Sequence, residues 1–473
     1  MSDTFDDIQQ REQGLSRQLS ARQLSMIALG GAIGTGLFLG SKTAIGEAGP
    51  SVIISYVIGG FIALLLMGAL AEMTVAHSTT GSFGAYAEHY LGSFAGYMLK
   101  YLYWSCIVLA VGTEITAVGD YMQFWLPGVP SIIWVVLFSA ALIGVNAFNV
   151  KAFGTLEYWF STVKVFAILA FIVLAAGLVV GDRHGGYGVH NYTAGGGFFP
   201  HGVSGMWFAV VISIFSYLSI EMIAVAAGEA KDPATSVKKA FKVTVFRLFI
   251  FYILTLGLIL MIAPVSRILK GGSPFVTVME IVGIPGADSV INVVVIVAAL
   301  SAMNSQLYIS TRMMFSLSRG GQAPAVFGRL RANGAPINAL ILCSAGIAIA
   351  AVVYVLSPDT AFTVMMALSM FGAMATWGLI FVTHVAFRRA LKKEGTPLAY
   401  RLPFYPLGSI IGAVLMLSLL ITTLFMDDFR WTLIYGVPFT AVLAVLYFVF
   451  KRRDRTPDAT VPDPHTPHDA LVE

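Results

Sequence analysis

Met26-Ile-Ala-Leu-Gly30-Gly31-Ala32-Ile33-Gly34-Thr35-Gly36-Leu37-Phe38-Leu39-Gly40-Ser41 is an uncharged, largely apolar run in which five of the residues from 30 to 40 are glycine. Each glycine inside a helix costs about 1 kcal/mol relative to alanine, so the run is predicted to start a helix that unwinds part-way. Inside a bilayer, unwound backbone is tolerated only where it is buried in protein or lines a cavity. N–H groups freed at the start of the following half-helix make a seat for a carboxylate, and freed carbonyls receive an ammonium. An amino acid zwitterion presents both groups. The same glycines equally suit a packing face at which two helices approach closely, and glycine content alone leaves these two readings level.

The run is the first of many. Of 473 residues, 57% are hydrophobic and 11% charged, against about 25% charged in an average soluble domain. Stretches of the roughly 20 apolar residues needed to cross a hydrocarbon core recur along the chain. Spans are predicted at 24–44, 50–71, 94–125, 131–149, 156–180, 203–227, 241–265, 288–317, 337–356, 361–387, 408–427 and 431–450. The expected fold class is therefore an all-α integral membrane protein of about 12 transmembrane helices. The first twenty residues are polar and contain no cleavable signal, so the first span directs insertion.

Lys and Arg orient the spans, because they are enriched in cytoplasmic segments. With the N-terminus inside, Lys151, Lys238, Lys239, Arg319, Arg329, Arg388, Arg389, Lys392, Lys393 and Lys451 all fall on the cytoplasmic side, with only Lys42, Arg183, Arg267, Lys270 and Arg430 outside. Both termini are thus expected in the cytoplasm of a cell that carries this chain in its inner or plasma membrane. The net charge of +4 is spread over these short connections and forms no patch, which argues against nucleic acid as a partner. Cys106 and Cys343 lie within apolar spans and predict neither a disulfide nor a metal site. No Gly-rich loop ending in Gly-Lys-Ser/Thr occurs, so this is not expected to be an enzyme or to burn ATP by itself. No cofactor is expected.

The run Leu24 to Ser41, followed by Ala48-Gly49-Pro50-Ser51, resembles the opening of amino acid permeases of the amino acid–polyamine–organocation superfamily. Ala69-Leu-Ala-Glu72-Met73, Gly112-Thr-Glu114-Ile-Thr-Ala117, Asn149-Val-Lys151-Ala-Phe-Gly154, Glu157-Tyr-Trp-Phe160 with Lys164, and Ala226-Ala-Gly-Glu229-Ala with Pro233 are similar to later segments of the same family. The resemblance runs from about Leu19 to about Lys451. It implies a LeuT-like fold of two five-helix inverted repeats led by broken spans 1 and 6. The chain then divides into an N-terminal tail over 1–20, a permease domain over 21–455 and a disordered tail over 456–473. Within the domain the repeats cover about 21–180 and 200–390, with two further helices over about 405–450. Backbone groups at Gly34, Thr35 and Gly36 are expected to hold the substrate carboxylate, carbonyls near Ala32, Phe215 and Leu218 the amino group, and Phe215 to gate the site. Span 6 departs from the family pattern. Phe215-Ser-Tyr-Leu-Ser-Ile-Glu221 puts Leu218 and Ser219 where glycine is common, leaving the extent of unwinding there open.

Charges inside the spans carry the coupling reading. Glu114, Lys164 and Glu221 lie well within apolar stretches, where an ionisable group is a functional candidate because burying it is expensive. The alternatives are a hydrogen-bonding strut for Glu114, a cap for Glu221 and a lysine that snorkels to the interface for Lys164. In sodium-coupled relatives of the implied fold a cation sits between spans 1, 5 and 8, and several resembling permeases carry a lysine on span 5 that takes its place. Desolvation disfavours a charged amine there while hydrogen bonds to carbonyls favour it, so a proton can come and go. His77 and His89 flank a polar segment and are expected to face water. The resulting expectation is a proton-coupled amino acid symporter working by alternating access, with an exchanger as the alternative and a membrane amino acid receptor as a distant third. Which amino acid is carried, and the oligomeric state, are not written in the sequence.

Overall fold

The computed structural model describes residues 33–77, 82–148, 150–221, 249–331 and 334–453. Ala32, Gly30 and Gly31 lie outside these residues, as do Glu229 and most of the second half expected for span 6.

Among the described residues apolar helices occupy all twelve expected positions, and no strand occurs. Eight segments are long and apolar enough to cross a membrane, the first of which, Gly36–Ala76, contains spans 1 and 2 in succession. Shorter apolar helices, Ser131–Ala147, Gly202–Tyr217 and Ile250–Ile262, stand at spans 4, 6 and 7. Spans 1 and 2 part at Gly49, whose φ of +60° suits only glycine, and Pro50 then starts the turn into Val52–Ala76.

The chain alternates between two ends. At one end Lys42 Nζ donates to the Gly271 carbonyl, Trp125 to Ser289, and Asn191 to the Met261 carbonyl. At the other, Lys100 pairs with Glu88 and donates to Gln322, while the Leu402 N–H donates to Glu72. Among the described residues the first, third, fifth and seventh connections gather at the first end and the second, eighth and tenth at the second, as successive crossings require. The last turn of the tenth span, Ala361–Glu394, carries Lys392 and Lys393 beside the helix C-terminus, and Gly395 ends it in the left-handed conformation.

Burial sorts the helices into core and rim. Span 3, Ser93–Met122, has 94% of its most apolar window inside the protein, against 22% for span 5 and 17% for span 12. Span 3 is the mast of the bundle. Close approach to it relies on small residues: Gly346 of span 9 faces the Val108 carbonyl and Gly372 of span 10 the Leu102 carbonyl, with no room for a Cβ at either. On the rim, Phe166, Val173, Val180, Leu356 and Phe425 are exposed, which is the surface a lipid-facing helix presents.

His77 and His89 do not simply face water. Ser82–Leu91 folds back beneath span 2, so His77 is half-buried with its Nε2 at 2.5 Å from the Tyr90 hydroxyl and its ring against Phe387, while His89 sits edge-on to Tyr90. Burial lowers the His77 pKa, and a nearby charge on His89 adds to that.

One ion pair ties this end together. Glu72 of span 2 is fully buried; its carboxylate lies 2.5 Å from Arg388 Nε and 3.3 Å from His384 Nε2 and accepts the Leu402 N–H at 2.7 Å. His384 Nδ1 also meets Ser409 Oγ at 2.7 Å. Glu72→Ala leaves a buried guanidinium and an N–H unpaired, a loss of about 3–5 kcal/mol. Thermal unfolding in detergent is expected to show a clearly lowered midpoint, with Glu72→Gln intermediate. An unchanged midpoint would show that the pair adds no stability.

Candidate substrate and coupling site

Ile33 and Gly34 form a bend, Thr35 begins the helix, and Gly36–Gly40 runs as a π-helical turn into the α-helix Ser41–Ala48. Such wider π turns frequently mark functional sites. The Leu37 N–H returns to the Gly34 carbonyl at 3.2 Å.

Span 6 is broken too. Gly202–Tyr217 stops at Leu218, which is extended at φ −57° and ψ 147°, and Ser219 takes φ +75°. A serine in that left-handed region costs roughly 1–2 kcal/mol, which its surroundings must offset. Glu221 does so locally by accepting the Ser219 N–H at 3.2 Å, and Tyr103 of span 3 donates its hydroxyl to the same Oε1 at 2.7 Å. Within the described residues the helix stops at Tyr217 and turns over 218–220 without glycine.

The two breaks are joined. Ser216 Oγ donates to the Gly36 carbonyl at 2.7 Å, Tyr56 OH lies 2.8 Å from the same Oγ, and Tyr252 OH donates to the Ser216 carbonyl at 2.8 Å. A Cβ built on Gly36 would stand 2.7 Å from Ser216 Cα. Gly36 therefore serves close packing of span 1 on span 6, as the packing reading of the glycine run expects. Phe215 and Leu218 are 5% and 4% exposed, and Phe215 stands edge-on to Phe362 with centroids 6.4 Å apart. Thr35, Gly36, Phe215 and Leu218 are buried, Phe215 lies against Gly36, and Gly34 is partly exposed.

Glu114 enters the expected carboxylate seat itself. Its Oε2 accepts the Thr35 N–H at 3.1 Å, and a Cβ on Gly34 would lie 2.8 Å from Oε1. Fully buried Lys164 does not snorkel. Its Nζ donates to the Ile33 carbonyl at 3.0 Å and to Ser301 Oγ at 2.8 Å, which places an ammonium between spans 1, 5 and 8. Glu114 and Lys164 therefore meet adjacent residues of span 1, Glu114 at Gly34 and Thr35 and Lys164 at Ile33. Glu221 does not join them: its partner Tyr103 lies 11 residues from Glu114 on span 3, roughly 16 Å along the helix.

The residues missed are mostly polar groups of span 8. Ser301, Asn304, Ser305 and Gln306 are all buried within Ala287–Arg319, and a polar run of that kind inside an apolar span was a legible signal. Glu157 is also fully buried and accepts hydrogen bonds from Ser301, Ser161 and Asn304. Its place near the start of span 5 kept it from being singled out as an intramembrane charge.

The amino acid permease family model matches residues 23–456. An uncharacterized amino acid permease of Bacillus subtilis, YtnA, is 38% identical over 445 residues, covering 93% of this chain and 96% of its own length. The aromatic amino acid transport protein AroP of Escherichia coli K12 is 36% identical over 446 residues, 94% of this chain and 97% of its own. AroP of Salmonella typhimurium LT2 is 37% identical over 440 residues, 91% of this chain and 96% of its own. Matches of this extent, on a bundle of apolar helices broken at the first and sixth spans, show that the chain belongs to the amino acid permease family and is a multi-pass membrane protein of amino acid transport.

Proposed function

We propose that this permease is a proton-coupled amino acid symporter working by alternating access, with the substrate held at the breaks of spans 1 and 6. The observation that carries this reading is the buried Lys164 ammonium, bonded to the Ile33 carbonyl of span 1 and the Ser301 hydroxyl of span 8. Protonated, it braces span 5 against span 1; neutral, it releases an ionic contact that holds one conformation. A proton then biases the carrier as a bound cation would, without sodium. Because Glu114 occupies the Thr35 N–H, the substrate carboxylate is received at Gly34 and Gly36 as Glu114 moves or is neutralised. Glu221 couples the span 6 break to span 3 through Tyr103. Two relatives are named aromatic amino acid transport proteins, so phenylalanine, tyrosine and tryptophan are the first substrates to test.

In proteoliposomes, an inward proton gradient is expected to concentrate labelled phenylalanine, with no effect of sodium. Counterflow without any response to the gradient would identify an exchanger instead. Substrate choice is checked by thermal shift across the common amino acids, since a ligand at 100 times its Kd stabilises the folded state by about 2.7 kcal/mol. A receptor would bind in that screen and transport nothing.

Both termini are proposed to lie in the cytoplasm, with the protein in the plasma membrane. Gly186→Cys is expected to react with an impermeant maleimide from outside intact cells and Lys393→Cys not to react. Both positions are exposed, whereas Cys106 and Cys343 are buried and silent. The opposite labelling pattern would invert the topology.

A further inference from the structure

Glu157 and Lys164 are seven residues apart on span 5, two turns and about 10 Å along one helix face. Ser301 of span 8 stands between them. It accepts from Lys164 Nζ at 2.8 Å and donates its own proton to Glu157 Oε1 at 2.5 Å. Lys164, Ser301 and Glu157 are all fully buried. The chain of contacts continues: Asn304 Nδ2 donates to Glu157 Oε2 at 3.2 Å, and Asn146 Nδ2 of span 4 donates to Asn304 Oδ1 at 2.9 Å. Asn146 lines a cavity of about 30 Å³ with Tyr308, Thr311, Arg312 and Ala335. That cavity belongs to the end of the bundle that carries residues 320–336, and it has room for a water molecule among polar partners.

We infer that Glu157 is the proton acceptor of Lys164, reached through the Ser301 hydroxyl, and that this relay is the exit by which the coupling proton leaves toward the Asn146 cavity. The inference rests on the proton-symport reading above. In the transfer, one Lys164 N–H bond breaks as an O–H bond forms on Ser301 Oγ. The original Ser301 O–H breaks as an O–H bond forms on Glu157 Oε1. Serine ends with one proton, as it began, and the ammonium–carboxylate pair becomes a neutral amine and a neutral acid. Rotation of the serine hydroxyl and loss of the Glu157 proton to a water that enters from the Asn146 cavity reset the relay, the Asn304 and Asn146 amides holding Glu157 without carrying the proton. Neutralising both ends together is what a dry interior favours, since neither charge is then left unpaired. Among the described residues the other charged group facing Lys164 is Glu114 on span 3, which reaches Thr35 of span 1 and Gln306 of span 8 but not Ser301. The other partners of Glu157 among the described residues, Ser161 and Asn304, are uncharged. This explains why an acid and three polar side chains are spent on a stretch of spans 4, 5 and 8 that the substrate need not touch.

The test uses the full-length protein in liposomes loaded with a pH-sensitive dye. Influx of labelled phenylalanine, proton influx and counterflow are measured for wild type, Glu157→Gln, Ser301→Ala and Ser301→Thr. Glu157→Gln and Ser301→Ala are expected to lower the ratio of proton influx to counterflow more than tenfold, and Ser301→Thr, which keeps a hydroxyl, to restore most of it. Should Glu157→Gln fail to give a monodisperse detergent-extracted species, the Ser301 pair decides alone. If Glu157→Gln and Ser301→Ala couple as wild type while Lys164→Gln is uncoupled, the relay is overturned and the symporter reading stands. A parallel fall of counterflow and proton influx, which a merely structural role would give, also overturns it. If wild type carries no proton with phenylalanine, both the relay and the symporter reading fail.

Discussion

Lys164→Gln is expected to bind substrate and to carry out counterflow, yet to lose at least tenfold in accumulation driven by an inward proton gradient, with sodium making no difference to either protein. The side chain is fully buried and bonded to the Ile33 carbonyl and to Ser301 Oγ. A glutamine amide keeps donors for those two acceptors, so the packing among spans 1, 5 and 8 largely survives. What it cannot do is take up or release a proton. With a neutral group fixed in place, the energy difference between the two conformations no longer depends on protons, and a gradient has nothing to act on. The substitution also removes the cation that Ser301 links to Glu157, so some loss of stability accompanies the loss of coupling. Counterflow measured beside accumulation separates the two effects, because a destabilised carrier loses both. A mutant that still concentrates substrate on a proton gradient, or a wild type that requires sodium, would refute the coupling mechanism and leave the family membership untouched.

Gly36→Val is expected to abolish uptake, whereas Gly40→Ala retains most of it. The contrast comes from the backbone of span 6. A Cβ on Gly36 would lie 2.7 Å from Ser216 Cα and 3.0 Å from Ser216 N, so any side chain forces two backbones apart. The Ser216 to Gly36 hydrogen bond that joins the two breaks is lost with that movement. At Gly40 the nearest atoms are the Thr35 carbonyl oxygen at 3.7 Å and Met366 Sδ at 4.0 Å, which is ordinary contact. Valine adds the stiffness of a β-branched side chain at the first residue of a π turn. Overpacking of this kind costs about 1–3 kcal/mol, too little by itself to unfold a bundle of this size. Size-exclusion profiles of both mutants are expected to resemble wild type, with uptake lost only in Gly36→Val. Comparable uptake in the two mutants would mean that the contact with Ser216 does not hold the site.

The number of spans, their order and the break in span 1 followed from sequence because their causes are local and additive. Twenty apolar residues cross a bilayer whatever surrounds them, and glycines from 30 to 40 weaken a helix in any context. The candidacy of Glu114, Lys164 and Glu221 was legible for the same reason, since a charge in an apolar run is costly before any partner is known. Partners were another matter. Nothing in the local sequence says that Thr35 gives its N–H to a carboxylate 79 residues away, or that Ser301 links Lys164 to Glu157 across 137 and 144 residues.

The break in span 6 shows the limit most clearly. Leu218 and Ser219 carry no intrinsic preference for the conformation they adopt, and Ser219 at φ +75° is disfavoured by its own Cβ. The conformation is held by Glu221, Tyr103, Ser216 and Tyr252, contributed by three different spans. Apolar length, glycine cost and burial penalty are properties of a stretch of chain, so the sequence by itself determined the spans and the candidacy of Glu114, Lys164 and Glu221, though not that of Glu157. Which donor meets which acceptor, and where a helix without glycine must break, depends on side chains brought together from distant spans, and only the tertiary structure decided it.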